Sequence, residues 1–167
     1  MYQIGDKVTY GIHGVCAVVD TEQRVIDRKN ITYLVLEPIS QAGARYLVPT
    51  HNQAAMSKLR PVMEKQALLA LLSDSAASAD AWICDENSRK QRYRELIGSG
   101  DRLHLMQMCA SLYRHREEQL SAGRKVHMCD ENFLRDAEKL LCCEISLVME
   151  VTSEEAKRIL YSNLRIE

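Results

Sequence analysis

The sequence predicts an α+β protein whose two classes are segregated along the chain, with a small N-terminal β-barrel followed by a C-terminal bundle of about five helices. Up to about residue 60, apolar residues recur with a period of two, which is typical of β-strands. After Arg60-Pro61 the period lengthens to about 3.6 residues, which is typical of helices. We therefore expect two domains in the 167 residues, a barrel over residues 1–60 and a helical domain over residues 61–167.

Four segments of the first domain have the composition of β-strands. Val8 and Tyr10 alternate with polar residues, and a glycine-bracketed turn leads directly into the apolar run Val15 to Val19. Two further β-rich runs cover residues 31–36 and 45–48, and a proline follows each of them closely. Such short strands predict a small barrel of SH3 or Tudor type, an architecture that hosts many different functions.

Helix start and stop signals divide the second domain. A short helix is expected after Pro61, because proline suits a first helical turn. A longer helix is expected from about Asp80 to Ile97, ended by the glycines that follow. For the remaining three helices the expected N-cap residues are Asp101, Asp130, and either Thr152 or Ser153.

The composition argues against several classes of function. No stretch reaches the roughly 18 apolar residues that cross a membrane, and the N-terminus lacks a secretion signal, so we expect a cytoplasmic protein without a membrane partner. The six cysteines form no CxxC motif, and we expect reduced thiols and no metal site. The sequence contains no Walker loop, GxSxG or HExxH motif, so we expect no catalytic residues, no cofactor and no small-molecule substrate.

Charge is unevenly distributed, although the net charge is only −1. Residues 81–129 contain nine Lys and Arg against six Asp and Glu, whereas residues 130–167 contain five against nine. A basic middle segment fits a protein with one edge that faces nucleic acid, but ordinary solvated helix faces explain the same counts about as well.

The window 88–94 contains four cations and no acid, at Arg89, Lys90, Arg92 and Arg94. On a helix such a cluster can neutralise several phosphates. Trp82 lies seven residues before Arg89, so the two side chains would share one stripe of a continuous helix. Beside phosphate-binding cations, a lone tryptophan suggests a wedge or stacking side chain at a distorted base step of DNA. The alternative is a core anchor between helices beside a solvated cationic face. We expect a partly exposed Trp82 at the start of its helix.

Several short motifs follow one another over most of the chain. They are Ile4-Gly5-Asp6-Lys7-Val8, Tyr10, His13-Gly14-Val15, Tyr33-Leu34-Val35-Leu36, Val48-Pro49, Arg92-Tyr93-Arg94, Ser99-Gly100-Asp101 and Leu120-Ser121-Ala122-Gly123. In this order and spacing they resemble the CarD family of bacterial transcription regulators, whose barrel is shared with the RNA-polymerase-interacting domain of transcription–repair coupling factors. The resemblance implies a Tudor-like barrel that docks on RNA polymerase and a helical domain that touches promoter DNA near the melted region.

The resemblance also implies which barrel residues make the polymerase contact. In the family, exposed arginines on adjacent strands contact the β subunit of RNA polymerase. The matching positions here are Arg24 and Leu47, and Arg45 is the cation nearest to the second position. The alternative is that Arg24 and Arg45 only keep the strands soluble.

For the DNA contact, only some of the family's positions have matching residues in this sequence. Arg92 and Arg94 match basic positions of the family, whereas the family's DNA-wedging tryptophan falls at Arg89. The resemblance therefore supports a contact with the DNA backbone, weak and without sequence specificity, better than it supports a wedge. Trp82 is the available candidate for the wedge. A protein-interaction adaptor, whose helices bind another protein and not DNA, is the alternative function.

Overall fold

The structure is a computed structural model that describes residues 2–75 and 81–164. The chain divides into two compact units, Met1–Val62 and Met63–Glu167. In the described part of the chain, the first unit holds a five-stranded antiparallel sheet and the second holds five helices. This arrangement confirms the predicted fold class, a segregated α+β protein with a Tudor-like module at its N-terminus.

The first unit contains strands β1 (Lys7–Tyr10), β2 (Val15–Ile26), β3 (Lys29–Pro38), β4 (Tyr46–Pro49) and β5 (Leu59–Pro61). They form one sheet in the order β4-β3-β2-β1-β5. A 3₁₀ turn over Gly11–His13 joins β1 to β2, and the one-turn helix α1 (Gln53–Met56) lies between β4 and β5. The sequence pattern missed β5 because three residues are too few to show a period.

The core of the first unit is formed by one face of this sheet. Its buried side chains are Val8, Cys16, Val18, Leu34, Leu36, Val48 and Leu59. The register places Val8 opposite Cys16 and Leu34 opposite Val48, and cross-strand neighbours in an antiparallel sheet share a face. Each such aliphatic side chain contributes about 1.5–3 kcal/mol relative to an exposed one.

The hairpin formed by β2 and β3 is longer than the sequence indicates. The ladder continues to the pair Ile26–Lys29, and the connecting residues Asp27 and Arg28 both have left-handed backbones, with φ of 50° and 62°. Two consecutive left-handed residues are typical of the type I′ turn, whose twist matches that of the two strands. The turn could not be predicted from the sequence because Arg28 occupies a position where glycine is the usual residue.

The second unit contains α2 (Lys65–Ser75), α3 (Glu86–Ser99), α4 (Arg102–Ser121), α5 (Met128–Met149) and α6 (Ser153–Asn163). Leucines and methionines from these helices form one core, in which Leu72, Met106, Met108, Ile145 and Leu160 are fully buried. Among the helices of the described ranges, none combines the length and the apolar character that a membrane crossing requires.

Two helix starts agree with the sequence analysis and two differ from it. Asp101 caps α4 by accepting a hydrogen bond from the His104 amide at 3.1 Å, and Thr152 caps α6 in a capping box with Glu155. The helix expected from about residue 80 begins only at Glu86, because Asp85 caps it through the Ser88 amide at 2.8 Å; residue 80 lies outside the described ranges. Asp130 is not a cap, since α5 begins two residues earlier and its N-cap is His127.

Candidate nucleic-acid and protein interfaces

The side of the β-sheet opposite the core carries Arg24 and Leu47. Glu22 of β2 lies opposite Tyr33 of β3, and Val35 lies opposite Leu47 of β4. Because alternate residues of a strand share a face, Arg24 lies on the same side as Glu22, and this side also includes Leu47. We call the side formed by these five residues the outer face of the barrel.

Arg24 is held over the outer face by two contacts. Its Nη2 and Nε donate to Oε2 of Glu22 at 2.8 and 3.1 Å, and its Cζ lies 6.0 Å from the ring centre of Tyr33. Both members of this ion pair are substantially exposed, so the pair adds little to stability. The guanidinium can therefore exchange Glu22 for a carboxylate of a partner at low cost.

Leu47 and Arg45 differ in their exposure. Leu47 is half-buried beside the fully buried Val35, whereas Arg45 is exposed. The predicted strand 45–48 included Arg45, but β4 begins at Tyr46. The ladder between β3 and β4 ends at the pair Leu36–Tyr46, and Arg45 belongs to the preceding loop.

Arg89 is not on the surface, which corrects the expectation of four accessible cations. Its Nε and Nη2 donate to the carboxylate of Asp130 at 3.0 and 3.1 Å, and both side chains are about 95% buried (5% and 3% exposed). Its Nη1 donates to the carbonyls of Ile83 and Cys84 at 2.9 and 3.4 Å. Burial disfavours the charged guanidinium, but the bonds and charge of Asp130 outweigh this, and the pKa of Arg89 is raised.

Trp82 lies before α3 and not within it, so the helical stripe that was expected to join it to Arg89 does not exist. The indole is partly buried, and the imidazole of His115 stacks on it with ring centres 3.5 Å apart and planes 12° apart. The Arg89 guanidinium lies 4.6 Å from the indole centre. Two planar groups this close cannot share one face, so both faces of the indole are covered.

The remaining cations of the window are more accessible. Lys90 pairs with Glu86 one turn earlier on α3. Arg92 and Arg94 are exposed, and neither forms an ion pair with any residue in the described ranges. The cationic surface of α3 therefore consists of two free guanidiniums and one paired ammonium.

Sequence reasoning missed a second basic segment, the connection between α4 and α5. It contains Arg124, Lys125 and His127, which are exposed, and it leads into Met128, which is 79% exposed. The cation count over residues 81–129 contained this signal, but the search for a compact cluster favoured the window on α3. We call residues 122–127 the α4–α5 loop; Met128 is the first residue of α5.

The described part of the chain contains no cluster of metal-ligating side chains, and two of its buried thiols have raised pKa values. No group of three or more His, Cys, Asp or Glu side chains there could hold a metal ion. Burial raises the pKa of the Cys142 thiol to about 11 and that of Cys109 well above its ordinary value, so both thiols stay protonated.

Comparison with known families agrees with this two-part architecture. The family model for the CarD-like/TRCF RID domain matches residues 2–62, and the model for the CarD C-terminal domain matches residues 67–161. The CarD family is a non-enzymatic family of transcription regulators that interact with RNA polymerase. The chain belongs to this family, the CarD family.

Proposed function

We propose that the protein docks on the β subunit of RNA polymerase through the outer face of its barrel and contacts promoter DNA near the melted region through its helical unit. This function places it in the cytoplasm of a bacterium, where polymerase and promoters are found together. Family membership supports the polymerase part. One observation carries the DNA part: Arg92 and Arg94 are exposed and have no ion-pair partner in the described ranges.

The outer face has the anatomy of a protein interface. Tyr33 and Leu47 supply an apolar and aromatic centre beside the fully buried Val35, and Arg24 and Arg45 lie at its margin. Strand β4 is an edge of the sheet, where backbone groups are available for pairing with another chain. In this proposal Leu47 contributes buried area, while the two arginines select an acidic partner surface.

The helical unit contacts phosphates and not base edges. Arginine binds phosphate oxygens through paired donors, and Lys90 adds a third positive charge beside Arg92 and Arg94. Gln91 carries the side-chain amide among residues 88–94. Its Nε2 already donates to Oε1 of Glu95 on the same helix at 3.1 Å, so this group is not free to bind a base edge. Trp82 and Arg89 hold the segment that precedes α3 and touch no DNA in this proposal, because their contacting surfaces are occupied.

Tethering explains how a nearly neutral chain acts at promoters. Docking on polymerase raises the effective concentration of a weak DNA-binding surface into the millimolar range, where two or three phosphate contacts suffice. Whichever polymerase–promoter state those contacts fit best gains population, and the protein needs no sequence specificity of its own.

Two double variants test the proposal in a reconstituted polymerase–promoter complex. Arg24→Glu/Arg45→Glu should abolish co-purification with polymerase, whereas Lys58→Glu, an exposed cation elsewhere on the barrel, should not. Arg92→Ala/Arg94→Ala should bind polymerase normally but reduce the salt dependence of promoter binding by roughly two units of slope. Lys139→Ala/Arg158→Ala removes two exposed cations of the same unit and should change neither readout. A normal salt slope with Arg92→Ala/Arg94→Ala would leave the adaptor function standing.

A further inference from the structure

We propose that Glu144 and Arg102 anchor the polypeptide that connects the two units, and that this anchor determines how well a docked barrel presents the helical unit to promoter DNA. Both are positioning residues, since neither contacts polymerase or DNA in this proposal. The inference rests on the proposed function, because the anchor affects transcription only where the barrel is docked and the helical unit contacts DNA.

Glu144 of α5 accepts three hydrogen bonds inside the helical unit. Its Oε2 accepts from Nε of Arg102 at 2.7 Å, and its Oε1 accepts from Nη2 of Arg102 at 2.7 Å. The same Oε1 accepts from the backbone amide of Met63 at 3.0 Å. The side chains of Glu144 and Arg102 are only 5% and 14% exposed, so water competes little for these bonds. We call the Glu144 carboxylate, the Arg102 guanidinium and the Met63 amide the Glu144 anchor.

The segment that the anchor holds is short. Residues 62–64 connect β5 to α2. The Val62 amide donates to the carbonyl of Lys7 in β1 at 3.4 Å. Met63 follows directly, with its amide in the Glu144 anchor and its side chain packed against the core of the helical unit. The Glu64 carbonyl then accepts from an amide of α2 at 2.9 Å. Successive residues are therefore held first by the barrel and then by the helical unit.

The bond to Met63 is the distinctive part of the anchor. Met63 precedes α2 by two residues, so its amide has no acceptor within that helix. Glu144 supplies the acceptor from a position 81 residues later in the chain. A buried ion pair is often no more stabilising than apolar side chains of the same volume, because desolvation offsets the attraction. We therefore assign the anchor to the positioning of residues 62–64 and not to the stability of the helical unit.

The position of this segment determines where the helical unit can lie once the barrel is docked. A released, flexible segment of three residues has an r.m.s. span of about 10 Å. Motion over that range spreads the exposed Arg92 and Arg94 over many orientations, of which few bring them to phosphates. Holding the segment in place is a form of preorganisation, which reduces the entropy lost on binding. Loss of the anchor should therefore weaken the promoter contact without weakening polymerase docking.

Two double variants separate the anchor from the ion pair. Arg102→Met/Glu144→Gln removes both charges but keeps a carbonyl oxygen that can accept from the Met63 amide. Arg102→Met/Glu144→Met removes both charges and that oxygen. Neither variant leaves an unpaired buried charge, so both should fold, which far-UV circular dichroism and urea unfolding check. The difference between the two variants reports on the bond to Met63.

Pulsed electron–electron double resonance on the full-length chain measures the spread of distances between the two units. Spin labels are attached through p-acetylphenylalanine in place of the exposed Lys58 of the barrel and the exposed Lys139 of α5, which leaves the native cysteines unlabelled. The native chain and Arg102→Met/Glu144→Gln should give narrow distributions. Arg102→Met/Glu144→Met should give a distribution about twice as wide. Equal widths for the two double variants would overturn the anchor.

Binding measurements in the reconstituted polymerase complex test the consequence for function. Compared with Arg102→Met/Glu144→Gln, the variant Arg102→Met/Glu144→Met should bind polymerase alone equally well and the polymerase–promoter complex about three- to tenfold more weakly. Insertion of Gly-Ser-Gly between Val62 and Met63 keeps every group of the anchor but lengthens the connection, and it should cause a similar loss.

The salt dependence of Arg92→Ala/Arg94→Ala distinguishes a failure of this inference from a failure of the proposed function. Equal promoter affinities for the two double variants, together with a reduced salt slope for Arg92→Ala/Arg94→Ala, would overturn the inference and leave the proposed function standing. A normal salt slope for Arg92→Ala/Arg94→Ala would overturn the proposed DNA contact and the inference with it.

Discussion

Replacing Arg89 by alanine should destabilise the helical unit strongly. The substitution removes both charge-assisted bonds to Asp130 and leaves that carboxylate 97% buried (3% exposed) without its partner. It also frees the carbonyls of Ile83 and Cys84 and uncovers one face of Trp82. The whole segment before α3 therefore loses its attachment.

The magnitude follows from the burial of the pair. Breaking a buried ion pair by removing one partner costs about 3–5 kcal/mol, because the remaining charge stays desolvated. A domain of this size has a total stability of about 5–15 kcal/mol, so Arg89→Ala is expected to remove a large share of the free energy of unfolding. Arg89→Met/Asp130→Leu, which removes both charges and keeps the volume, should cost much less than the single variant.

Urea unfolding followed by far-UV circular dichroism and by the fluorescence of Trp82, the single tryptophan, measures these free energies. Lys90→Ala, which breaks an exposed pair on the same helix, is the matched control and should have little effect. A stable Arg89→Ala protein whose promoter binding is weakened and less salt-dependent would refute the structural role and return Arg89 to the phosphate-binding set. So would a double variant that is as unstable as the single one.

Two further outcomes are expected. The rings of His13 and Tyr46 are tilted against each other with their centres 3.9 Å apart, and burial lowers the pKa of His13. The unfolded chain therefore binds more protons near pH 6.5, and the stability of the barrel should rise with pH through and just below that value. His13→Phe should flatten this rise in pH-dependent urea titrations, and an unchanged profile would contradict the prediction. The exposed Cys84 should react with Ellman's reagent quickly at about pH 8, whereas Cys109 and Cys142 should react only on unfolding, as peptide mapping can check.

The class, the order of the elements and several boundaries could be read from the sequence because they depend on local interactions. A period of two or of 3.6 residues appears within one strand or helix, and it marked the barrel and the bundle correctly. The caps Asp101 and Thr152 bond to amides three residues away, so they too could be found in a short window. Family resemblance assigned Arg24 and Leu47 to adjacent strands. They lie on β2 and β4, which are separated by β3, and the register places both on one face of the sheet.

The separation of structural cations from accessible ones was decided by the tertiary structure. Arg89 and Arg92 look alike in the sequence, but Arg89 meets Asp130, 41 residues later, and Arg92 meets solvent. The surroundings of Trp82 likewise depend on His115, which lies on α4, 33 residues later in the chain. A run of charged residues shows how many cations a helix carries. Which of these cations stay free depends on partners that only long-range packing brings within 3 to 4 Å. No local sequence pattern identifies those partners.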